Sequence, residues 1–449
     1  MRSRWDRPRL RRAAASVLSV GLRAADPARL VHAHLRASRD SVRVAGARYA
    51  LRGGRLAVIA VGKAASRMAL AAEQALGDRI DEALAVDTSA SVSLSRTRLR
   101  LAGHPVPDER GLRAAAEVEA LARGLGAHDL LVVLLSGGAS ALLPAPVPGV
   151  SLEDKAALTR LLLRAGADIR EINTVRKHLS RLKGGGLARA AAPARVACLV
   201  LSDVVGDDLS TIGSGPTVAD PSTYADALEV LRRRGLLTGA PEPVRSHLEA
   251  GRRGARAETP KPGAALFRRV ATRIVGSNRL TVEAAAREAR RLGLRPIVLT
   301  TRLEGEAREA ARVLVAVLRE CVEAGRPGAP PVCLLAGGET TVTVRGPGQG
   351  GRNQELVVAA APALASFPVP AVVASLATDG VDGVGGAAGG VADDQSVVRA
   401  ARLGLAPAEV FLEASDSRAF LGPVGDLIVT GPTGTNVVDL TVLMAGAGR

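Results

Sequence analysis

Short, unbroken apolar runs alternate along the chain with longer stretches in which apolar residues recur every three or four positions. The runs predict strands at 56–61 (LAVIAV), 83–87, 98–102, 130–135 (LLVVLL) and 196–201 (VACLVL). Later runs predict strands at 271–275, 296–300, 331–335, 340–344, 371–376 and 437–443. The periodic stretches predict an amphipathic helix near 9–24 and helices at 63–76, 109–124, 151–165, 168–181, 222–234, 279–292, 304–324, 353–364 and 393–403. Strands that are apolar throughout, rather than alternating, belong in a sheet covered on both faces. The strand–loop–helix rhythm predicts an α/β fold. The segment 236–264 is rich in Gly and Pro, with a short helix near 242–250. It reads as a linker or surface excursion between one domain over 9–240 and a second over 265–446.

Composition narrows the function classes. A chain of 449 residues, 47% of them hydrophobic, has room for large cores and about two to three domains. Aromatic residues make up only 2%, so Ala, Val and Leu must build those cores. The formal charge is +16, but outside the first dozen residues and Arg252, Arg253 and Arg256 the basic residues are scattered. They lack aromatic partners for stacking, which argues against nucleic-acid binding. No apolar run reaches the about 18 residues of a membrane span. Cys198, Cys321 and Cys333 lie far apart without metal-ligand spacing, as expected of core thiols in a cytoplasmic protein.

Of the 60 Lys and Arg residues, only five are Lys: Lys63, Lys155, Lys177, Lys183 and Lys261. Arginine replaces lysine where charge alone matters, but not where a compact ammonium must reach a phosphate. Lys63 stands out, in Gly62-Lys63 between a strand and a helix, where helix-start amides favour an anion. Lys155 and Lys261 read as survivors of the compositional bias.

Five other segments carry candidate chemistry. Ser136-Gly137-Gly138 follows the most apolar strand, where small residues let a backbone cradle a phosphate. Arg176 and Lys177, on the helix before Gly184-Gly185-Gly186, read as a clamp for a carboxylate or phosphate, and His178 as a packing residue. Lys183 reads as a cap on the end of that helix. Asp203, Asp207 and Asp208 crowd the end of a strand, as bases towards a hydroxyl or as Mg²⁺ ligands. Gly337-Gly338-Glu339 and Gly350-Gly351-Arg352-Asn353 bring Glu339, Arg352 and Asn353 forward as substrate or phosphate groups. Asp379 and Asp382, in TDGVDG at 378–383, read as a metal or hydroxyl site. No Walker A loop is present, and no GxGxxG follows an early strand.

Taken together, VGKAA (61–65), SGGASALL (136–143), INTVRKHLSRLKGGGLA (172–188), SDVVGDDLSTIGSGPT (202–217), GGETTVTVRGPGQGGRNQE (337–355) and TDGVDG (378–383) resemble the class II glycerate kinases, the glycerate 2-kinase or MOFRL family. The resemblance runs from about residue 9 to 444. It implies a Rossmann-like N-terminal domain, a smaller α/β C-terminal domain of MOFRL type and an active site in the cleft between them. It also implies ATP-dependent phosphorylation of D-glycerate at the 2-hydroxyl, with ATP and Mg²⁺ as cofactors. Lys63 and Arg352 match the family's basic active-site residues, and either Asp203 or Asp207 its acidic one. The first eight residues look like an extension outside the motifs. The resemblance leaves room for a homodimer. An NAD(P)H-dependent hydroxypyruvate reductase and a non-catalytic binding protein for sugar acids or nucleotides remain as alternative readings.

Overall fold

In a computed structural model of the chain, which describes residues 5–447, the most apolar runs become fully buried strands. The described residues form two compact units, one of residues 27–275 and one that joins residues 5–26 to 276–447. No helix among the described residues is long and apolar enough to cross a membrane.

The unit over 27–275 opens with a small antiparallel sheet of β1 (Leu35–Ser38), β2 (Ser41–Val44) and β3 (Ala47–Ala50). Its main sheet has six strands: β4 (Leu56–Val61), β5 (Glu82–Asp87), β6 (Arg98–Leu101), β7 (Leu130–Leu135), β8 (Arg195–Leu201) and β9 (Val270–Gly276). The spatial order is β6-β5-β4-β7-β8-β9, and the pairs from β6 to β8 are all parallel. The first two strands of this order stand to one side of β4 and the later ones to the other, the doubly wound arrangement that the apolar runs predict. One core cluster packs Ile59, Val86, Val133 and Val200 against the helix Glu109–Arg123. A second is purely helical. It joins Leu158 and Leu162, Val175 and Leu179, Tyr224 and Val230, and Val244 and Leu248. The last two belong to the helix Glu242–Arg252, so the Gly/Pro-rich segment 236–264 is packed inside this unit rather than linking two domains.

The other unit has a sheet of β10 (Arg295–Leu303), β11 (Val332–Gly338), β12 (Ala371–Ala377), β13 (Gly389–Asp393), β14 (Leu427–Ile428) and β15 (Asp439–Ala445). The order is β10-β11-β15-β12-β13-β14, and only β10–β11 is parallel. Covered faces give apolar runs whichever way the strands point, so direction is a property the runs do not carry. The predicted strand at 340–344 does not form. Thr341 makes one isolated bridge to Glu306, and Val344 is 73% exposed. The helix Arg7–Ala24 packs here, through Leu10, Ala13, Val17 and Leu18 against Val282, Ala285, Leu440 and Val442. Residues 9–26 thus pack with the unit of 276–447, whereas the sequence reading counts them with the domain over 9–240. Of the first eight residues, read as an extension outside the motifs, residues 1–4 lie outside the described ones, and Arg7 binds Asp394 through two hydrogen bonds.

Candidate functional site

In the unit over 27–275, three parallel neighbours deliver their loops to one edge. β4 ends in Gly62-Lys63, β7 in Ser136-Gly137-Gly138 and β8 in Ser202-Asp203. Carboxyl ends of parallel strands are where ligands of such sheets bind. Gly62 has φ +127°, and a Cβ there would lie 2.2 Å from Ser136 Oγ, so glycine alone fits both the conformation and the space. Lys63 N–H donates to Gly137 O at 2.9 Å, and Ala64 N–H donates to Ser136 Oγ at 3.1 Å. The Ser136 hydroxyl, expected to bind phosphate, is therefore buried between the two loops and holds them together.

The Lys63 side chain is exposed. A Cβ on Gly138 would stand 3.2 Å from Lys63 Cγ and 3.0 Å from the His104 ring. One on Gly137 would stand 2.0 Å from Asp203 Oδ2. The bare glycine backbone thus has Asp203 on one side and Lys63 with His104 on the other. Partial burial, then the Lys63 charge, lowers the His104 pKa, which favours the neutral imidazole. His104 lies three residues beyond the end of β6, and its place after a strand is the signal that sequence reading passed over. Asp207 sits in a turn at φ +59°, and no hydrogen bond or ion pair of its side chain forms among the described residues. Asp208 accepts from Ser210 N–H and Thr211 Oγ1 and closes its own turn.

The expected Arg176–Lys177 clamp is split. Neighbouring helix positions point about 100° apart, and here they serve different surroundings. Arg176 lines a pocket beside Gly138 and His104, whereas Lys177 is buried against Asp220 at 3.4 Å. His178 packs on Tyr224 with ring centroids 4.7 Å apart, as expected. Lys183 caps no helix of its own. Its Nζ donates to Ser140 O at 2.7 Å, beneath the glycine loop. Lys155, set aside on sequence grounds, is buried in the same pocket and donates to Pro144 O at 2.6 Å.

The second group lies in the other unit, at the ends of β11 and β15 and the start of the helix Arg352–Leu364. Arg352 grips Asp439 through Nε and Nη2 at 2.6 and 2.9 Å and reaches Glu339 with Nη1 at 2.9 Å. Asp439 is 5% exposed, and burial pushes its carboxyl up to about 6 despite the guanidinium. Sequence reading missed Asp439, whose only mark is a carboxylate opening a buried strand.

Two expectations fail here. Asp382 accepts from the N–H groups of Asn353 and Gln354 and from both their side-chain amides, at 2.9–3.1 Å. It caps the helix and has no oxygen to spare for a metal. Asn353 is buried and spends its amide on Asp382 and Ser375. Asp379 accepts from Val381 N–H within its turn. Among the described residues no group of three or more His, Cys, Asp or Glu side chains is placed to hold a metal ion.

Comparison with known proteins also divides the chain in two, but counts the N-terminal helix with the first part. Residues 13–249 match a family described as a domain of unknown function, DUF4147, and residues 332–439 match the MOFRL family. The glycerate 2-kinase of Pyrococcus horikoshii is 40% identical over 95% of this chain and 96% of its own. A protein of Agrobacterium vitis, provisionally named a hydroxypyruvate reductase, is 43% identical over 88% of each chain. The crystal structure of a glycerate kinase from Thermotoga maritima superposes with a TM-score of 0.86 at 38% identity, covering 97% of this chain and 99% of that one. On these sequence and structural grounds the chain belongs to the glycerate 2-kinase, or MOFRL, family.

Proposed function

We propose that this protein is an ATP-dependent kinase that phosphorylates D-glycerate at its 2-hydroxyl. The observation that carries the reading is the meeting of Lys63, Gly137, Gly138, His104 and Asp203 at one sheet edge, in a chain of the glycerate 2-kinase family. In the reaction the 2-hydroxyl oxygen bonds to the γ-phosphorus of ATP, the bond from that phosphorus to the β–γ bridging oxygen breaks, and ADP leaves. The hydroxyl proton passes to a carboxylate, for which Asp203 is the candidate because it already lies against the glycine backbone. Lys63 offsets the charge that spreads over the phosphoryl oxygens, and the exposed compact ammonium suits that task. In the same reading Arg352, held by Asp439 and Glu339, serves the transfer with the two N–H donors that those carboxylates leave over.

Mg²⁺ commonly takes one or two carboxylates and otherwise phosphate oxygens. Asp203 and Asp207 fit that donor set, whereas Asp382 does not. When bound with ATP the ion would neutralise phosphate charge. A cytoplasmic location, in keeping with three free buried cysteines, and a homodimer belong to the same reading.

Phosphorus NMR of the product from ATP and D-glycerate tests it. The expected product is 2-phosphoglycerate, and 3-phosphoglycerate or no product would overturn the assignment. The reductase reading has a relative's name in its favour. NADH oxidation with hydroxypyruvate would support it, and a flat trace at 340 nm is expected.

A further inference from the structure

The pocket beside Gly138 has a make-up that a three-carbon acid does not explain. Its volume is about 480 Å³, within the range of pockets that enclose drug-sized ligands. One wall is Leu152, Leu158, Leu162 and Leu163. Leu163 stays 60% exposed and Val106, which also lines the pocket, 66%. The rest of the lining holds Arg176, Lys155 and Lys183, and among the described residues no Asp or Glu joins them.

That absence is unusual within the chain. Other buried cations have acid partners, Lys177 in Asp220 and Arg308 in Glu355. Here the ammonium groups bond only to carbonyls, Lys155 to Pro144 and Lys183 to Ser140 and Leu143. Each ammonium has three donors, so Lys155 keeps two and Lys183 one. Arg176 makes no side-chain hydrogen bond among the described residues. Burial first, and then the neighbouring cations, depresses Lys155 to about 7 and Lys183 well below its usual value. An anion would relieve that repulsion. Two of the chain's five lysines are spent on this one pocket.

We propose that the pocket is the site of the nucleoside di- or triphosphate, with the base against the leucine wall and the phosphates on Lys155, Lys183 and Arg176, leading to Gly138 and Lys63. Glycerate or inorganic phosphate has no apolar face to bury against leucines. A nucleotide presents both an apolar base and a polyanion. The assignment rests on the kinase reading for its ligand, but binding is measured without turnover.

Calorimetric titration of ADP into the full-length protein is the test, with Lys155→Met and Leu163→Glu as variants. Leu163 is exposed, so its variant keeps the fold even where a change at buried Lys155 does not. One ADP per chain is expected. Each variant should weaken ADP at least tenfold and raise the KM for ATP in proportion, with the KM for D-glycerate within twofold. ADP binding within twofold of wild type in both folded variants would overturn the assignment, as would inorganic tripolyphosphate binding as tightly as ADP. If no phosphoglycerate forms yet the variants lose ADP, the pocket stands and the glycerate reading falls. If the kinase is active and the variants bind ADP normally, the pocket falls and the activity stands.

Discussion

Lys63 owes its position to contacts made by its backbone, while its side chain faces solvent. Removing the ammonium therefore costs little stability. Lys63→Ala is expected to lower kcat by a factor on the order of 10²–10³, the usual loss when one charge-stabilising donor is removed. Circular dichroism should match the wild type, and normal turnover by that folded variant would take Lys63 out of the mechanism. Asp439 behaves differently, because its ionisation is coupled to folding. Its pKa rises from 3.8 unfolded to about 6 folded, so between these values the folded state holds more proton. The contribution of this group to stability is therefore greatest at low pH, falls as pH rises through about 4 to 6, and is constant above. Thermal melts should show the stability of the wild type relative to Asp439→Asn declining across that window and flat beyond it. Lys63 was legible in the sequence because Gly-Lys after an apolar strand is a local signal. Asp439 and Lys155 were not. Their meaning comes from partners 87 residues away in one case and from a pocket wall in the other.

The elements that place these residues were legible wherever burial is complete. β4 and β7 occur as the apolar runs predict, because every position is buried. β13 (GGVAD) escaped because its glycines carry no pattern, although it pairs with β12 at five positions. Thr340–Val344 failed in the other direction. It alternates like a strand, but the chain leaves the sheet after Gly338 and only Thr341 finds a bridge. The glycine loop after β7 gives a prediction at this scale. Gly137 has room for hydrogen only, since Asp203 occupies the space of a Cβ. Gly137→Ala should push the carboxylate away, lowering kcat at least tenfold while Tm shifts by only a few degrees. Unchanged turnover with an unchanged melting curve would show that Asp203 has no part in the chemistry.

For the molecule as a whole, sequence reading finds two domains, and the compact units of the structure part the chain at other residues. The segment 236–264 looks like a linker because Gly and Pro are frequent there, yet Val244 and Leu248 bury into a helical core. The N-terminal helix looks like part of the first domain because it comes first. Its Leu10, Ala14 and Val17 instead fill the core beside β15. Arg11 adds ion pairs to Asp393 and Asp426 at 2.6 and 2.7 Å. A chain lacking residues 1–26 should expose this apolar face. Limited proteolysis is expected to cut such a protein rapidly within 276–449 while sparing 27–275. Equal resistance of both units would show that the helix is dispensable.

β15 lies in the middle of its sheet, between β11 and β12, and every other described strand precedes it in the chain. On the ribosome, β11 and β12 must therefore wait as two exposed edges until the last central strand emerges. The helix Arg7–Ala24, made first of all, waits for the same event. Because β15 also brings Asp439 to Arg352, this part of the proposed site is completed only when its fold is. A nascent chain that stops short of residue 439 holds a finished parallel sheet and an unfinished partner, the form most in need of a chaperone.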